Sequence, residues 1–285
     1  RVDLMGSHTD YNQGHVLTLP IDRDTWIAAR PRSDRQVVIH SLDLAGVGSF
    51  NLDDIHPDPD TTWSNYVRGV AIALQSEGYK LAGFDGLIHS TIPLRSGLSS
   101  SAALEVATAR LFNRLGNLGV DPVHLALLCQ QAENNFVGMN CGILDQYTSS
   151  VGQVGSALLL DCRFLTSKPI SLPENLSVVI CDTRSHRELT GSEYPERRAA
   201  CEQGAQIFAK YYPSVKTLRD VSPEMLSDSR AALPAIIEKR VQFIIEEEQR
   251  VLDLTAALAS ENLKTVHALA AASFTGARDL YEICT

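Results

Sequence analysis

The pattern of apolar and polar positions changes character along the chain. Its first part carries short apolar or β-branched runs broken by turn residues, at His15–Leu19, Thr25–Ala29 and Gln36–His40. Such runs predict strands, and Phe84–Ser90 reads as another. Helical periodicity follows. Between Asn65 and Ser76, the residues Val67, Val70, Ala71 and Leu74 fall on one helical face. Ser101–Leu115 is rich in alanine and leucine, and Pro122–Phe136 follows Asp121, a capping residue with proline at the first helical position. Leu158–Leu160 and Leu176–Cys181 read as strands. From Glu193 onward the pattern is mainly helical, with a long amphipathic stretch at Ala235–Ala259 and a further helix at Asn262–Ala272. Strands and helices in this order lack a regular βαβ repeat, so the expected class is α+β. The Pro- and Ser-containing segment at 166–175 is the expected domain boundary, giving domains 1–165 and 166–285.

Length and charge narrow the function only slightly. The 285 residues fit two domains of ordinary size. A formal net charge of −9 argues against non-specific binding to nucleic acid or to an anionic membrane. The cysteines at 129, 141, 162, 181, 201 and 284 form no Cys-x-x-Cys pair, which fits buried thiols in a reducing cytoplasm. No apolar run approaches the roughly 20 residues that span a bilayer. A cytoplasmic protein is therefore expected, with a monomer favoured. The chain starts at Arg1 and stops at Thr285 without an obvious cap or turn, so both ends are expected to be cut from a longer protein.

Three segments carry candidate chemistry. In Ile92–Glu105 a Gly/Ser loop, Gly97-Leu98-Ser99-Ser100-Ser101-Ala102, lies between a strand and a helix. Such a loop can aim several backbone N–H groups and a positive helix end at one anion. Its serines add hydroxyls for phosphate oxygens or a hard cation. A plain helix cap with spare serines is the other reading. The segment is not a Walker motif, because no Gly-Lys-Ser/Thr follows. In Gln131–Gln146, Glu133 falls late in a predicted helix and Asp145 follows a Gly-containing turn. One carboxylate could hold Mg²⁺ and the other act on a hydroxyl, or both could be ordinary helix-surface and cap residues. Finally, Arg1–Asn12 packs polar side chains around Gly6, which suits a poly-hydroxylated ligand or an ordinary polar loop.

Taken together, the segments resemble the GHMP kinase superfamily, and the galactokinase family in particular. Gly6–Asn12 is similar to the galactokinase signature, the serine loop to the family's phosphate-binding motif, and Cys141–Gln146 to the segment holding its catalytic aspartate. Asp182–Cys201, with Ser192–Arg198, resembles a stretch that brings a sugar-contacting tyrosine. The matches run in family order along the chain. The resemblance implies a two-domain GHMP kinase-like fold with mixed sheets and packed helices. It also implies ATP-dependent phosphorylation of galactose at its anomeric hydroxyl, with Mg²⁺. By that resemblance Asp145 is the catalytic aspartate and Arg1 its partner. Ser7, His8, Asp10, Gly142 and Tyr194 lie at sugar-contact positions. Gly97–Ala102 bind the triphosphate, and Ser101 and Glu133 hold Mg²⁺.

Two features depart from the family pattern. Ser7 stands where galactokinases usually have glutamate, and a C-terminal glycine-rich motif is absent. A kinase for N-acetylgalactosamine or arabinose therefore remains open, as does a non-catalytic sugar sensor. The intact Ser99-Ser100-Ser101-Ala102-Ala103 run favours an enzyme over a sensor.

Overall fold

The computed structural model describes residues 1–94, 96–181 and 193–283. The expected motif at Asp182–Cys201 therefore lies partly outside the described residues, as do Arg95, Cys284 and Thr285. The chain divides into two compact units, one made of Arg1 and Ile21–Val151, the other of Val2–Pro20 and Gly152–Thr285.

The first unit is built on a four-stranded sheet. Its strands are β3 (Thr25–Pro31), β4 (Gln36–Ser41), β5 (Val47–Asn51) and β6 (Phe84–Ser90), in the order β3-β6-β4-β5. The sheet is mixed: β3 and β5 run antiparallel to their neighbours, while β4 and β6 are parallel. Helices α1 (Ser64–Ser76), α2 (Ser100–Gly116), α3 (Pro122–Ala132) and α4 (Leu144–Val151) complete the unit. Val67, Val70, Ala71 and Leu74 of α1 are fully buried, as their spacing predicts. They join Ile39, Phe84 and Phe112 in one core, where the two phenyl rings meet edge-on at 5.4 Å. Burial of each large side chain of this kind stabilises the fold by about 1.5–3 kcal/mol.

The second unit has an antiparallel sheet in the order β1-β2-β7-β8. The strands are β1 (Val2–Met5), β2 (His15–Leu19), β7 (Ser156–Asp161) and β8 (Thr166–Ser171). Helices α5 (Glu193–Ala209), α6 (Pro223–Ser229), α7 (Ala235–Ala259) and α8 (Leu263–Asp279) belong to the same unit. From α7, Val251, Leu254 and Leu258 pack with Met5 and Leu17 of the sheet.

Three expectations need correction. The expected boundary segment is not a linker, because Thr166–Ser171 is β8, hydrogen-bonded along its length to β7. The division does not fall at 165/166 either. Residues 15–18 pair with residues 158–161, which ties Val2–Pro20 to the later part of the chain. The apolar run at Leu176–Cys181 forms no strand, and Val178, Val179 and Ile180 are solvent-exposed. Its residues have strand propensity, but a strand requires a hydrogen-bonded neighbour, and none pairs with it among the described residues.

Candidate active site

In the first unit, the chemistry gathers where α2 begins. Gly97 and Ser99 both adopt left-handed backbone angles, φ 77° and 60°, which turn the chain sharply into the helix. The first amides of α2, at Ser100, Ser101 and Ala102, have no intrahelical acceptor and carry the positive end of a helix of 17 residues. Ser99 sits at the cap position, yet its side chain makes no cap hydrogen bond. Its hydroxyl instead donates to Asp145 Oδ2 at 2.6 Å.

Asp145 lies in the first turn of α4, just after Gly142, with its side chain 27% exposed. Arg1 Nε donates to Asp145 Oδ1 at 2.7 Å, and Arg1 Nη2 donates to the same oxygen. Arg1 Nη1 reaches the carbonyl of Gly97 at 3.2 Å. One guanidinium thus ties the carboxylate to the serine loop. The segment before α4 is fixed by α3 and the π-helical turn Glu133–Val137 that extends it. Asn134 Oδ1 accepts from the amide of Cys141 at 2.9 Å, and Gln130 Nε2 donates to the carbonyl of Cys141 at 3.3 Å.

Glu133 is almost wholly buried, and burial raises its pKa; hydrogen bonds from Cys141, Ser101 and Gln146 oppose that shift. Gln146 Nε2 donates to Glu133 Oε2 and, at 3.0 Å, to Oε2 of the fully buried Glu105. Burial first, then the charge of Glu133, pushes the Glu105 carboxyl well above its usual range. Glu105 was not among the residues expected from sequence. The available signal was its place four residues after Ser101, on the same face of α2.

A Mg²⁺ ion fits this donor set. Ser101 and Glu133 are within hydrogen-bonding reach of each other, so a hydroxyl and a carboxylate oxygen already converge. Mg²⁺ is commonly held by one or two such groups plus substrate phosphates and water. No cluster of three His, Cys, Asp or Glu residues that could hold a metal occurs among the described residues.

The second unit gathers the other expected residues: Ser7, His8, Asp10 and Tyr194. Gly6 precedes them at φ 101°, and a Cβ there would lie 2.9 Å from the backbone of His15 and Val16. The amide of Gly6 donates to Glu247 Oε1 of α7 at 3.1 Å. Ser273 and Arg250 donate to the same buried carboxylate, each at 2.7 Å. Ser7 Oγ donates to Asp3 Oδ2 at 3.2 Å. Asp10 opens a 3₁₀ turn, Asp10–Asn12, closed by the amide of Gln13 on the Asp10 carbonyl at 3.0 Å. The ring of His8 lies 5.3 Å from that of Tyr194 and 4.9 Å from that of Tyr281. Glu247 and Tyr281 were not expected from sequence; each acts on the loop from far along the chain. The expected residues thus fall into two groups, one in each unit.

The galactokinase galactose-binding signature matches residues 1–31, and the GHMP kinases N terminal domain matches residues 65–153. A galactokinase of Roseiflexus sp. (strain RS-1) is 42% identical over 283 residues, covering 99% of this chain and 72% of the relative. A galactokinase of Chloroflexus aggregans is 42% identical over 281 residues, again covering 72% of its length. The crystal structure of Lactococcus lactis galactokinase complexed with galactose superposes with a TM-score of 0.92 at 32% identity, over 100% of this chain and 74% of that one. The chain belongs to the galactokinase family of GHMP kinases.

Proposed function

We propose that the two groups of residues carry the galactokinase reaction, transfer of the γ-phosphoryl group of ATP to the anomeric hydroxyl of galactose. The observation that supports the assignment of roles best is the Asp145 carboxylate, held by Arg1 on one oxygen and Ser99 on the other. Phosphoryl transfer depends on positioning and on charge neutralisation more than on covalent help from the protein. The amides and hydroxyls of Gly97–Ala102 bind the nucleotide phosphates. Asp145 orients the anomeric hydroxyl and accepts its proton. Arg1 fixes the direction of that carboxylate and adds positive charge beside the transferring group. Ser101 and Glu133 hold Mg²⁺, which neutralises phosphate charge when bound.

Ser7, His8, Asp10, Gly142 and Tyr194 bind the sugar in this reading. Ser7 is shorter than the glutamate of related galactokinases and already donates to Asp3. That observation favours a second reading, a looser preference at the sugar's primary hydroxyl, and keeps kinases of related sugars in view. The five cysteines among the described residues are unpaired, and no helix there is long and apolar enough to cross a membrane. The free cysteines accord with a cytoplasmic enzyme. The test is ADP formation by the full-length protein with ATP, Mg²⁺ and a panel of sugars. Galactose is expected to give the highest kcat/KM. Turnover confined to another sugar, or none with any, would overturn the reading.

A further inference from the structure

Behind His8 runs a line of hydrogen-bonding groups that the reaction itself does not use. His8 Nδ1 lies 2.9 Å from the hydroxyl of Tyr11. That hydroxyl lies 2.6 Å from the hydroxyl of Tyr281, which in turn lies 3.2 Å from Cys201 Sγ. All four residues belong to the second unit. The far end of the line is rigid. Tyr281 is fully buried, its ring is 4.6 Å from Phe243, and its amide donates to the carbonyl of Gly276 at 3.0 Å. At the near end His8 adopts φ 70°, and its ring packs against those of Tyr11, Tyr194 and Tyr281 at 5.7, 5.3 and 4.9 Å.

We propose that Tyr11 and Tyr281 are positioning residues for sugar recognition, which fix the plane of the His8 ring and the hydrogen-bonding role of its Nδ1. The proposal rests on His8 being a sugar contact. A histidine ring has two distinct nitrogens, and the partner of one decides what the other can offer a ligand. Burial raises the pKa of both tyrosines, so each keeps its proton and each hydroxyl can donate once and accept once along the line. A relay of this kind is ordered from its buried end. Tyr281 sets Tyr11, and Tyr11 sets the ring.

The experiment compares Tyr11→Phe and Tyr281→Phe with the wild-type full-length enzyme, using ATP, galactose and each monodeoxygalactose. Each substitution keeps the ring and removes one hydroxyl. Loss of one hydrogen bond predicts a rise in galactose KM of roughly threefold to tenfold in Tyr11→Phe. The KM for ATP should stay within about twofold, because uniform damage to the fold would move both. The preference for galactose over one deoxy sugar, the one lacking the hydroxyl held by His8, should fall by a similar factor. Tyr281→Phe should shift the same preference in the same direction by less, because Tyr11 still faces the ring. If Tyr11→Phe does not fold, Tyr281→Phe decides. Wild-type turnover of galactose with unaltered preference in the folded variants would overturn the relay alone. No galactose turnover by the wild type would overturn the functional reading and the relay together.

Discussion

Asp145→Asn tests the centre of the proposed mechanism while leaving its shape intact. The carboxylate accepts from Arg1 Nε at 2.7 Å on one oxygen and from Ser99 Oγ at 2.6 Å on the other. An asparagine amide can keep both contacts. Its oxygen accepts from Arg1, and its nitrogen donates to the Ser99 oxygen, with that hydroxyl turned. What is lost is charge assistance. Hydrogen bonds to charged groups are worth about 1.5–3 kcal/mol against about 1 for neutral ones, and partial exposure of the pair trims the difference. The stability cost is therefore about 1 kcal/mol, which shifts Tm by only a few degrees in a protein this large. The catalytic cost is of another order. A positioned general base contributes about 10²–10⁴-fold, or about 3–5 kcal/mol of barrier. The expected result is a fall in kcat of that size with ATP affinity within about threefold of wild type. Steady-state ADP release and nucleotide titration on the same preparation measure the two quantities. Turnover within a few-fold of wild type would refute the role of Asp145. Equal loss of ATP binding would show instead that Asp145 serves the serine loop through Ser99.

Four further outcomes are expected from the same structure. Glu133→Ala should raise the Mg²⁺ concentration for half-maximal activity about tenfold or more, since it removes the carboxylate of a two-residue donor set; an unchanged Mg²⁺ titration would remove Glu133 from the metal site. Ser7→Glu should raise the preference for galactose over 6-deoxygalactose by about twofold to tenfold, the gain from a charged over a neutral acceptor; an unchanged ratio would show that residue 7 does not face the primary hydroxyl. Gly6→Ala should destabilise the fold by about 2–4 kcal/mol, because its φ of 101° is strained for alanine and the new Cβ meets backbone at 2.9 Å; thermal unfolding reads this directly. Glu105 has a folded pKa above its unfolded value, so the unfolded chain loses that proton first and stability falls as pH rises above about 4.3. Glu105→Gln should remove that part of the pH dependence and gain on wild type in Tm as pH rises, and a constant Tm difference between pH 5 and 8 would show Glu105 to be ionised in the fold.

Most local patterns reappear in the structure, whereas the strand pairings were not legible in the sequence. Ala235–Ala259 is a helix over the length its periodicity predicts, and Phe84–Ser90 is a strand over its predicted length. Both are set by side chains within one run. The helix beginning at Leu263 extends to Asp279, running through Gly276, which is buried against Phe243. The strand expected at Leu176–Cys181 did not form. β-propensity describes fitness for a pleated surface, and this run has no neighbouring strand among the described residues to complete one. β8 was hidden because Thr166–Ser171 carries a proline and exposed polar residues, the composition of a linker as well as of an edge strand. The grouping of Val2–Pro20 with the later part of the chain depends on β2 meeting β7, a pairing of positions more than a hundred residues apart that no local pattern encodes.

The same distinction separates the parts of the site. The serine loop is legible because anion binding at a helix start needs only consecutive residues, glycine for the turn and hydroxyls beside it. Even there, the local pattern offers an anion loop or a helix cap and no partner for Ser99, whereas its hydroxyl donates to Asp145, 46 residues on. The pairing of Arg1 with Asp145 spans 144 positions, and family resemblance, not spacing, suggested it. The residues that hold the Gly6–Asn12 loop in place stand farther still: Glu247 reaches Gly6 across 241 positions, and Tyr281 reaches Tyr11 across 270. Neither bears a sequence mark of its task, because a glutamate in an amphipathic helix and a tyrosine after one are ordinary residues until folding buries them. A group that touches substrate must be of a particular chemical type, and that type is visible in a motif. A group that orients it needs only to be buried, polar and rigidly backed, and those properties exist only in the folded chain.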